Sequence, residues 1–452
     1  MASAAHPKVK LAGAVVAAEK LAQLTIRQDL DCPDQCELAL RNLGAPLPST
    51  TLAAGDALEV ELGFGTTQEM VFAGELTGVM VDYAVDRRSL VIVNGFNRLH
   101  RLTRGRKSRS FEAMTDQQIA AKIAQEAQLS SQVGSAPAIT YAHVQQHNQT
   151  DLEFLLQRAS RIGYQLSFSG DKTLHFEKRD LSSDSGITLK LGAQTGDHEL
   201  LRFSPRLSLA TRIAEVQVRG WDPANRKEII GKASSLTKTM GKQSGLDAGK
   251  DVFGNTVQYE VDDKVTSQEE ADARAAAILE AAALATISGE AVTVGHPKLR
   301  PGLVITLDLG SDTRFSGAYY LVGTVHRWRA GGGEAGGYTT LLKLRRNAME
   351  AQPREQAPGQ PGAVATEERA ASRMAPPPPA GEPPKETKAK TVDAEGSLKI
   401  DGKPAAGAQL VVTLANGEER KVTTDGAGAW KLTEVPPGEY RVRVEVEEGE
   451  LG

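Results

Sequence analysis

The sequence is poor in the residues that mark metal-binding or disulfide-rich proteins. Only two cysteines, Cys32 and Cys36, occur among 452 residues, and no further ligand stands near them at metal-binding spacing. A local disulfide is one alternative. The expected arrangement is two thiols flanking a turn that leads into a strand. So low a cysteine content favours a cytoplasmic origin.

Several functional classes are disfavoured by what is missing. Aromatic residues make up 5% of the chain and the net charge is -4, so neither a base-stacking platform nor a basic nucleic-acid surface is indicated. No apolar run approaches the ~18 residues of a membrane span. A short run at 11–18 follows Lys8 and Lys10 and resembles a signal-peptide core. Because Gly13 interrupts it and Glu19 follows at once, we expect a first β-hairpin instead.

Enzyme signatures are also missing. The sequence has no G-x-S-x-G, no H-E-x-x-H and no Walker A motif, and no helical domain that would house the paired carboxylates of a cell-wall hydrolase. His296 and His326 have no acidic or cysteine companion at ligand spacing, so we expect ordinary core or surface histidines. The sequence predicts no enzyme, with no catalytic, cofactor-binding or metal-binding residues and no cofactor.

Glycine-punctuated strands are abundant instead. Runs rich in β-branched residues alternate with turn signals in two long stretches, and each stretch carries helical segments. The expected fold is mainly β with α insertions. The predicted domains are a first tube-like β-barrel at 1–105, an α/β insertion at 106–184, a second tube-like β-barrel with one helix at 185–350, a Pro-rich linker at 351–392 and a C-terminal β-sandwich at 393–452.

One stretch of the insertion, residues 144–164, is the most specific signal. Thr150 with Glu153 forms a capping box, and acidic residues in this first turn suit the helix dipole. Gly163 is a natural stop. The helix has an apolar face, and the strand after it alternates apolar and polar residues. The apolar face comprises Leu152, Leu155, Leu156, Ala159 and Ile162.

The same stretch resembles phage tail hub proteins, the late control gene D and VgrG-like family of contractile injection systems. The matching residues are Gln149, Asp151, Phe154, Leu155 and Gly163-Tyr164. Other stretches resemble the same family: Asp31-x-Pro33-Asp34, Val218 to Asp222, and the run from His296 through Pro301-Gly302 and Tyr320 to His326. Within the second of these, Trp221 is either an ordinary core or edge aromatic, the favoured interpretation, or a subunit-interface residue.

The last 60 residues resemble a carboxypeptidase regulatory-like β-sandwich. The matching residues are Gly402-x-Pro404, Gly407-Ala408, Thr424-Asp425, Gly428 and Val435 to Tyr440. Asn416-Gly417 and Pro437-Gly438 supply turn signals, and Trp430 and Tyr440 fit core positions. This resemblance implies an accessory module and no peptidase activity.

The hub resemblance implies a structural role. Such proteins pair two barrels in each chain, and three chains form a ring that joins the sixfold inner tube to the threefold spike. The expected partners are two further copies, the tube protein, a separate spike and other baseplate proteins, with cargo as a further candidate. We expect neither nucleic-acid contact nor membrane insertion, and assembly in the cytoplasm before incorporation into a phage tail or extracellular particle.

Other interpretations remain open. The alternative is a secreted or particle-borne adhesin that binds through its C-terminal β-domain. Within the hub class, the Pro-rich linker that follows the barrels stands where a fused spike would begin, so a type VI spike protein is disfavoured relative to a tail or an extracellular injection particle.

Overall fold

A computed structural model describes residues 5–41, 52–64, 67–83, 89–170, 172–192, 199–209, 213–331, 337–350, 392–397, 399–400, 403–414, 418–435 and 441–444. The chain divides into two compact units, Met1–Gln356 and Ala357–Gly452. The Pro-rich linker and the turns at Asn416-Gly417 and Pro437-Gly438 lie outside the described residues, as do Gly402 and Tyr440. The fold is mainly β, as the sequence predicts.

The first barrel begins with the expected hairpin, since Lys10 and Leu11 pair with Val15 and Ala14. Its main strands lie in the order β1-β5-β6-β7-β4-β3 around a core of aliphatic side chains. The strands are β1 (Lys8–Leu11), β2 (Ala14–Val15), β3 (Leu21–Asp29), β4 (Gln35–Arg41), β5 (Ala57–Phe64), β6 (Thr67–Asp82) and β7 (Leu90–Phe96).

The inserted α/β domain follows, with a core of its own. The predicted capping box at Thr150 forms, and the same pattern in the sequence, Thr115 followed by Gln118, forms a second. Each threonine accepts from the amide of the third residue after it, whose side chain accepts from the cap amide. Gly163 ends the second helix at φ +70°. The elements are β8 (Lys107–Met114), α1 (Asp116–Glu126), β9 (Ser130–Val133), β10 (Tyr141–Gln149), α2 (Asp151–Arg161), β11 (Tyr164–Ser169) and β12 (Thr173–Lys178).

The second barrel is closed. Six strands run in the order β21-β20-β13-β14-β19-β22, and β22 pairs back onto β21. This part of the chain comprises β13 (Asp184–Leu191), β14 (Glu199–Leu207), β15 (Glu215–Asp222), β16 (Lys227–Ala233), β17 (Gln243–Ser244), α3 (Gly245–Phe253), β18 (Val257–Val261), α4 (Gln268–Leu284), β19 (Ile287–Val294), β20 (Val304–Asp308), β21 (Gly317–Arg329), β22 (Gly337–Arg346) and β23 (Ala348–Met349).

Two features of this region differ from the prediction. The strands β15, β16 and β18 form a separate three-stranded sheet, which packs on α4 through its own core and does not join the barrel wall. A second helix, α3, precedes β18. Its glycines lower its helix propensity, and only the Ser244 cap, which accepts from the Asp247 amide, marks it in the sequence.

The C-terminal unit contains short antiparallel strands. Trp430 packs beside buried Val412 and Leu414, so its predicted core position is confirmed. The strands are β24 (Val392–Ser397), β25 (Lys399–Ile400), β26 (Lys403–Pro404), β27 (Gln409–Thr413), β28 (Glu419–Thr423), β29 (Ala429–Val435) and β30 (Arg441–Val444).

Candidate functional site: the seam between the barrels

The two barrels share one continuous sheet. Seven consecutive residues of β21, Gly323–Arg329, pair antiparallel with β3 of the first barrel, from Asp29 back to Gln23. Hydrogen bonds along such a ladder fix the strands laterally, and burial of one face fixes the register. The chain therefore builds a rigid β wall that passes from one barrel to the next. We call this β3–β21 junction the seam.

Trp328 anchors the seam. Although it belongs to β21, its side chain is only 8% exposed and packs into the core of the first barrel. Its indole Nε1 donates to the carbonyl of Ala5 at 3.0 Å, so the polar end of the ring is satisfied as a buried tryptophan requires. Tyr338 of β22 joins the same core. Aromatic side chains from the second barrel thus help to fill the first.

Polar contacts close one end of the seam. Lys343 Nζ lies 2.8 Å from Asp29 Oδ1, and the Gln28 amide donates to Asp34 Oδ2 at 3.1 Å. Burial raises the pKa of Asp34 to about 7, and the nearby Asp29 carboxylate adds to the increase while the hydrogen bond from Gln28 opposes it. The Asp-x-Pro-Asp segment singled out in the sequence therefore lies where the barrels meet.

Both singled-out histidines are buried near this junction. The carbonyl of Leu299 can only accept, so His326 donates to it from Nε2 at 3.1 Å. The Nδ1 atom then accepts from the hydroxyl of Tyr338 at 2.8 Å. Burial lowers the pKa of His326 to about 4, which keeps the ring neutral. His296 donates its amide to Thr340, whose hydroxyl also contacts His326. The His326 ring and the His296 backbone therefore contribute to the buried structure at this junction.

The hub-like helix α2 is held by buried ion pairs. Asp151 at its N-terminus contacts Lys107 Nζ at 2.6 Å and Arg109 Nη2 at 2.8 Å. Arg158 pairs with Asp116 of α1 and lies over the Tyr141 ring. In all of these contacts the charged groups are paired with other side chains of the chain, so we assign them a structural role in the packing of α2.

Arg161, at the end of α2, reaches the loop after β18 and the helix α4. It contacts Asp262 Oδ2 at 2.7 Å and Glu270 Oε1 at 2.8 Å. These carboxylates lie beside and within α4, so the fork of Arg161 joins the α/β insertion to the three-stranded sheet and helix of the second barrel region. Charge-assisted hydrogen bonds such as these two are roughly twice as strong as hydrogen bonds between neutral groups.

A large groove lies beside the seam. Its volume is about 1480 Å³, above the ~300–1,000 Å³ typical of small-molecule sites. On its wall Ser169 Oγ lies 2.6 Å from His175 Nε2, and Glu177 lies 3.7 Å from the other ring nitrogen. Nucleophilic catalysis needs a base that a buried third group orients. Glu177 is about half exposed and makes no hydrogen bond to the ring, so this arrangement lacks that support.

The remaining residues that the sequence analysis singled out include Trp221 and the two cysteines. Trp221 is 50% exposed at the end of β15, so it is not a core residue, and this position fits both an edge aromatic and a subunit-interface residue. The two thiols are free, Cys32 exposed and Cys36 buried in β4. Within the described ranges no group of three or more His, Cys, Asp or Glu side chains is arranged to hold a metal ion. In the same ranges no helix is long and apolar enough to cross a membrane.

Comparison with protein families identifies the barrel region. The model of the Alg8 N-terminal domain matches residues 47–329, which is more than half of the chain. The chain belongs to the Alg8 N-terminal domain family. A carboxypeptidase regulatory-like domain matches residues 398–450, in agreement with the sequence resemblance. No curated protein sequence matches the chain.

Solved structures share the fold of this Alg8 N-terminal domain protein. The 43 kDa tail protein of prophage MuSo2 from Shewanella oneidensis superposes with a TM-score of 0.57 at 15% identity, covering 76% of this chain and 99% of that one. A tail protein from Neisseria meningitidis MC58 gives the same score and identity, covering 76% and 97%. The E. coli c3393 protein, described as a component of the type VI secretion system, gives 0.51 at 13% identity, covering 97% and 99%.

These likenesses establish the fold of phage tail and type VI secretion proteins for this chain. None of the comparisons names the late control gene D family. Because a type VI component shares the fold along nearly all of its length, fold alone does not separate a phage tail from a type VI system.

Proposed function

We propose that the protein is the structural baseplate hub of a contractile phage tail or a tail-like injection system. In this proposal it resembles the late control gene D proteins and forms a homotrimer that joins a sixfold inner tube to a threefold spike. It acts mechanically and performs no chemistry. The partners are the tube protein, a separate spike and other baseplate proteins, and assembly precedes incorporation into the particle.

The observation that carries this proposal is the seam. The closed barrel of the second region and the six main strands of the first form one continuous sheet of hydrogen-bonded strands, so in this proposal each copy supplies two tube-like units. Three copies then supply six. Closed rings also remove exposed strand edges, which a sheet of this size otherwise leaves open.

The buried ion pairs support the same conclusion. A part that transmits force between a tube and a spike needs domains that do not shear against each other. Arg161 ties α2 to Asp262 and Glu270, and Trp328 ties the barrels together. We assign the C-terminal unit an accessory role outside the ring.

Electron microscopy of the purified chain tests the proposal. Class averages are expected to show a threefold ring with six barrel-sized densities around its wall. Single, unassociated two-barrel particles at every concentration, also after co-expression with the spike protein, would overturn it.

A further inference from the structure

The two barrels repeat one strand order. Numbered by their order in the chain, the main strands of the first barrel lie in the order 1-5-6-7-4-3 and those of the second in the order 13-20-21-22-19-14. In both barrels this is the first, fourth, fifth, sixth, third and second strand. By this correspondence β6 matches β21, and β3 matches β14.

The matching strands also share a local irregularity. The ladder of β6 shifts between Leu76 and Gly78, and that of β21 shifts between Leu321 and Gly323. Both places carry the sequence Leu-x-Gly. This common bulge gives a residue-by-residue match, in which Gly78 corresponds to Gly323 and Tyr83 to Trp328.

The edge of β21 is shared by two neighbours. Its first residues, Gly317–Tyr320, pair with β20, and those from Gly323 onward pair with β3 in the seam. On β6, residues Thr67–Glu75 pair with β5. Beyond Leu76 the same edge has no strand partner in the part of the chain that the structure describes. The open stretch of β6 therefore corresponds to the half of β21 that forms the seam.

Apolar side chains on this open stretch are exposed to solvent. Val79, Met80 and Tyr83 are all exposed. Tyr83 is 76% exposed, whereas Trp328 at the matching position is 8% exposed. Apolar side chains on an open strand edge are unusual in a chain that works alone, because they invite pairing.

The complementary edge lies on β14. Its neighbour β13 pairs only with Glu199 and Leu200, so the edge from Leu201 to Leu207 is open among the described residues. Pro205 stands in this stretch and has no N–H to donate, so the hydrogen bonds of any ladder on this edge come from the residues around it. In the other barrel the matching strand, β3, uses this edge for the seam.

We propose that β14 of one copy adds to the open edge of β6 in the next copy, in the way that β3 adds to β21 within one chain. This inference rests on the proposed ring and names the surfaces that would close it. The contact joins two different edges, so it is heterologous, and repeated around a rotation axis it closes a ring.

The register follows from the buried faces. We match the cross-strand pair Ile26–Cys36 on β3 and β4 to Leu207–Ile287 on β14 and β19, because both pairs lie near the connected end of the matching hairpin and face a barrel core. Ile26, Cys36 and Ile287 are fully buried, and Leu207 is partly buried. A slip by one residue would turn every side chain to the wrong face. Transferring the seam register then places Val81 opposite Leu207, an apolar pair.

The next position along is charged. The same register places Asp82 opposite Arg206, and opposite charges that face each other across strands stabilise the pairing. Tyr83 falls beside Pro205 and Leu207, where it would be covered much as Trp328 is.

Disulfide trapping tests the pairing in the full-length chain. Directly opposed residues have Cβ atoms about 4.5–5.5 Å apart, within reach of a disulfide after a small adjustment. In a Cys32→Ser background, Asp82→Cys combined with Arg206→Cys is expected to give covalent dimers and trimers under mild oxidation. The matched control combines Asp82→Cys with Arg202→Cys, which the register places about 13 Å away along the strand, and is expected to stay uncrosslinked.

The solution mass of the same samples separates the possible results. A trimer that crosslinks only in the Asp82/Arg206 pair supports the inference. A trimer that crosslinks in neither pair, or equally in both, overturns the pairing and leaves the ring intact. A monomer without crosslinks overturns both. As a second measurement, Asp82→Arg and Arg206→Asp are each expected to weaken assembly, and the double exchange is expected to restore it. Failure of that rescue would also count against the register.

Discussion

Arg161 Nη2 lies 2.8 Å from Oε1 of Glu270, a residue 109 positions farther along the chain. A second arm of the same guanidinium reaches Asp262 at 2.7 Å. The contact joins the end of α2 to the helix α4, so the α/β insertion and the region of the three-stranded sheet are locked together through one buried side chain.

Removal of this guanidinium is therefore expected to be costly. Arg161→Ala leaves two carboxylates close together and largely buried, and we expect a loss of about 3–5 kcal/mol in the free energy of unfolding. Urea denaturation of the chain measures it. The matched control is Arg106→Ala, which removes an exposed pair with Glu153 and is expected to cost at most about 1 kcal/mol. Equal effects in the two variants would contradict the proposed locking.

The tryptophans offer a similar contrast. Trp328→Ala empties part of the first barrel core and removes the hydrogen bond to Ala5, so we expect a loss of about 3–5 kcal/mol. Trp221→Ala removes a half-exposed ring and is expected to change stability by less than about 1 kcal/mol. Thermal melts followed by near-ultraviolet circular dichroism compare the two. A large effect at Trp221 alone would show that the seam is not the main anchor.

His326 makes stability depend on pH. Its pKa falls from 6.5 in the unfolded chain to about 4 in the fold, so between these values the unfolded chain binds more protons and stability falls as pH falls. Each pKa unit corresponds to about 1.4 kcal/mol, so we expect a loss of up to about 3 kcal/mol between pH 7 and pH 4. The measurement is the difference in urea unfolding free energy between the parent chain and His326→Gln across this range. A difference that does not vary with pH would exclude His326 as the source.

Asp34 is expected to act in the opposite direction. Its pKa rises from 3.8 to about 7 in the fold, so between these values the folded chain binds more protons and stability falls as pH rises. Asp34→Asn keeps an amide near Gln28 without the charge. We expect the variant to gain about 4 kcal/mol relative to the parent as pH rises from 4 to 8. A constant difference between variant and parent would show that the carboxyl is not shifted.

The sequence predicts local structure well where the signal is local. The boxes at Thr115 and Thr150, the stop at Gly163 and the first hairpin each depend on residues within a few positions of one another, and all four form. The mainly β fold follows from the strand patterns in the same way. The helix α3 was missed because its glycines weaken a signal that only the Ser244 cap carries.

Long-range features could not be predicted from the same patterns. The partners of Arg161 lie 101 and 109 residues away, and nothing local marks Asp262 and Glu270 as its partners. The sequence pattern of β15, β16 and β18 predicts ordinary barrel strands. Alternation of apolar and polar residues indicates that one face of a strand is buried, but not which core it is buried against. The repeated strand order of the barrels is likewise a property of pairing, and only the shared Leu-x-Gly bulge shows in the residues.

The most direct test of the central claim is the solution mass of the purified chain, compared with that of a shortened chain ending at Asn347, by light scattering. The account predicts a trimer for both, because the barrels carry the ring contacts and the C-terminal unit is accessory. Monomers of both at high concentration, persisting on co-expression with the spike, would contradict it. A trimer that needs the C-terminal unit would place assembly there and remove the barrels from that role.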